Sequence, residues 1–151
     1  MVEEQIRFRF TTIQIISKRV AEVQQENLNK KFNYQITVEM RVQAPLKLVI
    51  PYVYIKLIIE GSTESVADFV IACGYEIEEF EKFIIPNEKG MFIVPEHFEE
   101  FIRPISISTV RGVIYSELRG TYLESAIMPV IFMDQFKAIP IEEFKKQSSP
   151  H

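Results

Sequence analysis

Tryptophan is missing from the chain, cysteine occurs once, histidine twice and glycine five times. Each scarcity removes a class of explanation. A lone thiol, Cys73, cannot close a disulfide within the chain, so a reducing cytoplasm is the expected home. His97 and His151 share no ligand spacing with Cys73, which leaves no metal site to argue for. None of the glycines stands in a phosphate-loop pattern, and no cofactor is expected. A basic excess is also missing. The formal charge of −4 argues against a nucleic-acid partner. The longest apolar stretch, Leu48 to Ile55, is broken by Pro51 and flanked by Lys47 and Lys56. It falls short of the roughly 20 residues a membrane helix needs, so no membrane insertion is expected. Residues 1–5 are acidic and lead into no apolar signal core.

What the chain does have is apolar and aromatic mass. Hydrophobic residues make up 47% of 151, with twelve Phe and six Tyr. That is enough for one domain, residues 1–151, with a core of its own, and it excludes a disordered chain.

Alternation organises the first half. In residues 5–17, Ile6, Phe8 and Phe10 share one parity, while Ile13 and Ile15 continue on the opposite parity after Thr11-Thr12. The spacing predicts a strand with a bulge there. Residues 24–31 form a polar connection. Residues 32–43 alternate without a fault, from Phe32, Tyr34 and Ile36 to Met40 and Val42, as a half-buried strand does. Ala44-Pro45 ends it. Residues 46–59 are apolar on both parities, so both faces need cover. One face can meet a helix of the same chain, and the other is expected to meet a second subunit. Pro51 predicts a bulge or an edge position. After the turn at Gly61-Ser62-Thr63, a fourth alternating strand is predicted over 66–78, and the short connections make the sheet antiparallel.

Residues 86–90 read as a loop, and from Pro95 the period becomes helical. Pro95 with Glu96, Glu99 and Glu100 suits a helix start. Pro104 should kink the helix or divide it near Arg103, and Gly120 should end it. Residues 121–130 are expected to be extended, with a short helix at 141–147 and a frayed tail beyond.

No constellation carries catalysis. The glutamates at 76, 78, 79, 81, 96, 99 and 100 flank apolar positions, as a solvated face requires. Cys73 lies on the apolar parity of its strand, which suits an inert core thiol. Ser106, Ser108, Thr109 and Ser116 have neither an elbow motif nor a nearby His. Arg111-Gly112 and Arg119-Gly120 repeat eight residues apart on one helical face. That face could bind an anion, but the simpler reading is structural: Gly112 allows close approach, and Arg111 pairs with an acid across an interface. The apolar segments 80–85, 91–94 and 122–132 are not periodic and flank loops. They line a groove for extended apolar peptide, or they close the core or an oligomer interface.

One pattern has a wider meaning. The helix ends in Arg119-Gly120, an apolar run with Tyr122 follows, and Pro129 leads by Pro-x-x-Phe to Phe132. With Gly74-Tyr75 on the fourth strand, this order resembles the SecB protein-export chaperone family, most clearly over residues 105–136. The resemblance implies an α+β fold: a four-stranded antiparallel sheet followed by a long helix. It implies a dimer of dimers, hence a homotetramer, whose grooves hold unfolded polypeptide without nucleotide, metal or catalytic residue. The expected function is therefore an ATP-independent chaperone, not an enzyme, with peptide held by Phe80, Phe83, Phe92, Tyr122 and Phe132.

This chain departs from the family in two places. It has Leu123 and Glu124 where further proline is usual. The family docks on the SecA motor through an acidic patch on strands one and four. Here strand one carries Arg7, Arg9, Lys18 and Arg19, and strand four offers Asp68 before Phe69, Val70 and Ile71. SecA is thus not expected as a partner, and a dedicated client such as an antitoxin becomes a variant of the same reading. A hot-dog-fold acyl-thioester enzyme is the alternative from another class, but its helix precedes most of its strands.

Overall fold

The computed structural model describes residues 5–22 and 31–129. Strands β1 (Phe8–Val20), β2 (Phe32–Gln43), β3 (Leu48–Ile59) and β4 (Ser65–Ile77) form one antiparallel sheet in the order β1-β4-β3-β2. A single turn of helix, α1 (Phe80–Phe83), leads into a small hairpin of β5 (Ile85–Pro86) and β6 (Phe92–Ile93). The long helix α2 (Glu96–Glu117) follows. The expected α+β class, four strands and then a helix, is the observed one. The helix comes after the sheet, so the chain does not have the hot-dog order.

Length and partnership explain the strands. β3 and β4 are central and β-branched-rich, and each pairs on both sides. Pro51 was expected to bring a bulge or an edge, and it brings neither. β3 lies between two neighbours, and its pairing with β4 resumes at Tyr52↔Ala72 in the register set by Val49↔Tyr75. The loss is confined to one missing N–H in the ladder.

The expected bulge in β1 is present. Its register with β4 shifts between Phe10 and Thr12, and again between Ile15 and Ser17. Gly74 makes the first shift possible. A Cβ on Gly74 would lie 2.4 Å from Thr12 Cγ2, and the Thr11 hydroxyl donates to the Gly74 carbonyl at 3.2 Å. The shifts keep Phe8, Phe10, Ile13 and Ile15 opposite Ile77, Tyr75, Cys73 and Ile71, hence on the helix side of the sheet.

α2 packs on that side. Phe98, Ile102, Ser106, Val110 and Ile114 are buried against Val53, Ile55, Ile71, Tyr75 and their neighbours in one core. Burying each large aliphatic side chain contributes roughly 1.5–3 kcal/mol. The hydroxyls of Ser106 and Tyr75 are satisfied inside this core. Ser106 donates to the Ile102 carbonyl at 2.8 Å, so Tyr75 must donate to Ser106 at 2.8 Å. Burial pushes the Cys73 thiol up to about 11, in keeping with an inert core thiol.

α2 does not divide at Pro104; it runs unbroken from Glu96 to Glu117. Residues on both sides of the proline, Ile102 and Ser106 among them, are anchored in the core, and Arg103 pairs with Glu99 at 3.5 Å. Tertiary packing outweighs the lost hydrogen bond. Gly120, at φ 80°, reverses the chain after α2 as expected.

Residues 121–125 are not extended. The Thr121 hydroxyl donates to the Leu118 carbonyl at 2.7 Å and accepts from the Leu123 N–H at 3.1 Å, folding the segment into turns. The short helix expected at 141–147 and the tail lie outside the described residues.

β3 is indeed buried on both faces, but within a single chain. Tyr54, Lys56 and Ile58 on the face away from α2 are 8%, 2% and 9% exposed. Those positions therefore do not demand a second subunit. Among the described residues the uncovered apolar side chains lie elsewhere, on β1, on the hairpin, on α2 and at Leu46 and Ile127.

Candidate functional site

The four expected groove residues that the structure describes, Phe80, Phe83, Phe92 and Tyr122, do not meet in one place. Phe80, Phe83 and Phe92 gather where β4 ends and α2 begins. Phe80 is part of the core and only 2% exposed, so it is a support and not a groove lining. It stacks obliquely on Phe92, ring centres 6.0 Å apart. Phe83 is half-buried beneath the Lys82 ammonium. Phe92 is exposed. Tyr122 is at the far end, after α2, with Arg19 of β1 and Glu64 as the charges acting on its hydroxyl. The paired stretch from Phe8↔Ile77 to Val20↔Ala67 separates these ends, roughly 35 Å at strand rise. Phe132 lies outside the described residues.

The first end is a projecting apolar hairpin. Ile85, Met91, Phe92 and Ile93 all face solvent. The short connection from β4 forces this shape. Glu79 turns with a left-handed φ of 55°, α1 makes one turn, and the Ile84 N–H returns to the Phe80 carbonyl at 2.8 Å. Ile84, 1% exposed, pins the base of the hairpin to the core. Asn87 then shapes the tip. Its side-chain oxygen accepts from the Lys89 and Met91 N–H groups at 2.9 and 3.0 Å, and its own N–H donates to the Met91 carbonyl at 2.7 Å. The apolar residues are thus held outward by a bonded turn.

Acidic residues flank the hairpin along the chain, Glu78, Glu79 and Glu81 before it and Glu96, Glu99 and Glu100 after it, with Glu88 in its tip. Burial pushes the Glu99 carboxyl up, Arg103 opposes that, and Glu96 adds to it. Glu96 and Glu99 favour the positive end of the helix, a structural use of charge. Among the described residues no group of three or more His, Cys, Asp or Glu is placed to hold a metal ion.

The second end is better packed. Leu123 and Met128 are buried, the Tyr34 hydroxyl donates to the Ala126 carbonyl, and Arg111 Nε donates to the Met128 carbonyl at 2.6 Å. Arg111 therefore holds the returning segment of its own chain. Tyr122 is half-buried there, and Ile127 is exposed.

Sequence reasoning named Phe92 but passed over Ile85, Met91 and Ile93 as individuals. Their signal was present in the aperiodic segments 80–85 and 91–94 beside a polar loop. What the pattern could not show was the outward direction, which depends on Asn87 and on the pinning of Ile84. Among the described residues no helix is long and apolar enough to cross a membrane.

No family model and no curated protein sequence matches the chain. A solved structure does: a SecB-like chaperone of Mycobacterium tuberculosis, Rv1957, in complex with a ChAD peptide from the Rv1956 HigA1 antitoxin. The match covers 87% of this chain and 88% of that one, at 12% identity and a TM-score of 0.50. At that identity the likeness establishes a SecB-like fold.

Proposed function

We propose that the chain is an ATP-independent chaperone that binds extended apolar polypeptide, with a dedicated client as the preferred form. The observation that supports it most is the fold likeness to a SecB-like chaperone bound to an antitoxin peptide. The hairpin adds a physical reason. Ile85, Met91, Phe92 and Ile93 form an apolar surface that the chain keeps exposed by design of its turn. Phe92 and Met91 offer large, sequence-tolerant contact area. An extended client can also add backbone hydrogen bonds to a strand edge. Tyr122 and Ile127 form a second station roughly 35 Å away, and a segment of about ten extended residues would reach both. In this reading the chain has no catalytic role, acts in the cytoplasm, and self-associates, with a tetramer the simplest closed form. Phe132 keeps its place in the proposal by sequence alone.

Export through SecA is the weaker variant. The charges on β1 and β4 neutralise one another, Arg9 with Glu76 at 3.4 Å and Arg19 with Asp68, so no acidic face is left there for docking.

The test is protection of several unfolded clients from aggregation by the purified protein. Wild type is expected to protect, and Phe92→Asp to lose protection with unchanged thermal unfolding. A wild type that protects none of them ends the reading. Polypeptides captured from cells separate a dedicated client, recovered as one species, from a general chaperone, which recovers many.

A further inference from the structure

The hairpin has two edges, and they are not equivalent. Its turn sets their hydrogen-bond pattern. The Asn87 N–H donates to the Met91 carbonyl at 2.7 Å, the Gly90 N–H donates to the Asn87 carbonyl at 2.9 Å, and Gly90 takes a φ of 77°. Asn87 and Met91 are therefore a hydrogen-bonded pair. Along an antiparallel ladder such pairs alternate with unbonded ones, so Pro86↔Phe92 does not bond across the hairpin and Ile85↔Ile93 does. The backbone groups of an unbonded pair point away from the partner strand. On β5 that residue is Pro86, which has a carbonyl but no N–H to offer. On β6 it is Phe92, which offers both. Among the described residues no further strand pairs with either edge.

Side chains follow the same alternation. Phe92 lies on one face, its ring centre 6.0 Å from that of Phe80. Met91 and Ile93 lie on the other, 64% and 55% exposed. The edge of β6 thus has apolar side chains on both faces and a donor and an acceptor between them.

Resting on the client reading put forward above, we propose that the client adds a third strand to the hairpin at the edge of β6, antiparallel to it, and not at the edge of β5. One client residue exchanges both backbone hydrogen bonds with Phe92, and its side chain lies beside the Phe92 ring. The residue before it lies beside Ile93 and the residue after it beside Met91, on the opposite face. The segment recognised is extended, apolar at three successive positions, and without proline at the middle one.

Charge selects the direction. Exposed Glu96 and Glu100 follow the base of β6, while Glu88 and Lys89 in the tip cancel. A strand antiparallel to β6 runs from the base to the tip. A cation on its N-terminal side therefore meets the carboxylates, and a parallel strand would carry that cation to the neutral tip.

The test uses the full chain and a ten-residue peptide whose only apolar run is Val-Phe-Val, with two lysines at its N-terminus. Binding is followed by fluorescence anisotropy. N-methylation of the central residue should raise the dissociation constant about tenfold, the worth of one hydrogen bond. N-methylation of either flanking valine, whose N–H points away from β6, should change it less than about twofold. Moving both lysines to the C-terminus should weaken binding at low salt, and tighter binding there would reverse the direction. Pro86→Thr, which restores the donor on β5, should leave the affinity unchanged. If the peptide binds but N-methylation of the central residue has no effect, or if Pro86→Thr tightens binding several-fold, the β6 edge is wrong although the client reading stands. If neither this peptide nor any of several unfolded clients binds, both fall.

Discussion

Isoleucine serves the sheet and the hairpin in opposite ways. Ile55 of β3 and Ile71 of β4 are 1% and 0% exposed, whereas Ile85 and Ile93 of the hairpin are 57% and 55% exposed. The residue type is the same, and the difference lies in what surrounds it. β3 and β4 are 12 and 13 residues long, have neighbours on both sides, and carry α2 on one face. β5 and β6 are two residues long and pair only with each other. A two-residue strand has no second layer to bury against, so its side chains stay in water. The comparison teaches that the residues that hold the fold and the exposed residues proposed to meet a client lie in different regions, so that each set can be altered without the other.

The largest effect should come from the core side of that comparison. Ile102→Ala removes a fully buried side chain between α2 and the sheet, and about 2–5 kcal/mol of stability should be lost. Ile93→Ala on the hairpin should stay within about 0.5 kcal/mol of wild type. Urea unfolding of the two variants checks both figures, and equal losses would break the comparison.

Gly74→Ala is next. The new methyl would lie 2.4 Å from Thr12 Cγ2, so the β1 bulge must shift, at roughly 1–3 kcal/mol. Adding Thr12→Ser, which removes that methyl, should restore most of the loss. Ser106→Ala should cost a similar amount, about 1–3 kcal/mol, because the Tyr75 hydroxyl loses its acceptor inside the core. Tyr75→Phe in the same chain should recover part of it.

A smaller effect is expected with pH. Burial raises the Cys73 thiol from 9.0 to about 11 and the Tyr75 hydroxyl from 10.0 to about 12. Both groups are kept neutral by the folded state and ionise more readily once unfolded. Their contribution is therefore complete below pH 9 and declines as pH rises toward 11 and 12. Urea midpoints at pH 8 and pH 10.5 should show the later one lower, and Tyr75→Phe should reduce the difference. Least of all, Asn87→Ala should cost under about 1 kcal/mol globally while it loosens the hairpin tip. Faster hydrogen exchange at Lys89 and Met91 alone would sharpen the division between the regions.

The sheet and α2 were legible in the sequence because each obeys a period that repeats many times. Phe32 to Val42 alternates six times, and the helical spacing runs from Phe98 to Leu118. Even the β1 bulge could be read, since Thr11-Thr12 interrupts an otherwise regular parity. The second bulge at Ile16 could not, because polar residues beyond it hide the change of parity. At Pro104 the local rule allowed a kink or a division, and the burial of Ile102 and Ser106 on either side keeps the helix in one piece. The candidate site was the least legible part. Direction on a two-residue strand has no period, so nothing in the one-dimensional pattern separates buried Phe80 from exposed Phe92. The same limit placed Tyr122 in a single groove with them, although the length of the sheet divides them.

The central claim is that the hairpin, and not the sheet–helix body, meets the client. The most direct measurement is hydrogen exchange across residues 85–93, with and without an extended apolar peptide of about ten residues. The account expects the added peptide to slow exchange at the hairpin amides, and Phe92→Asp to abolish the slowing while the exchange of β3 and β4 stays as it was. Slowing confined to other segments, with the hairpin exchanging at its free rate, would contradict it.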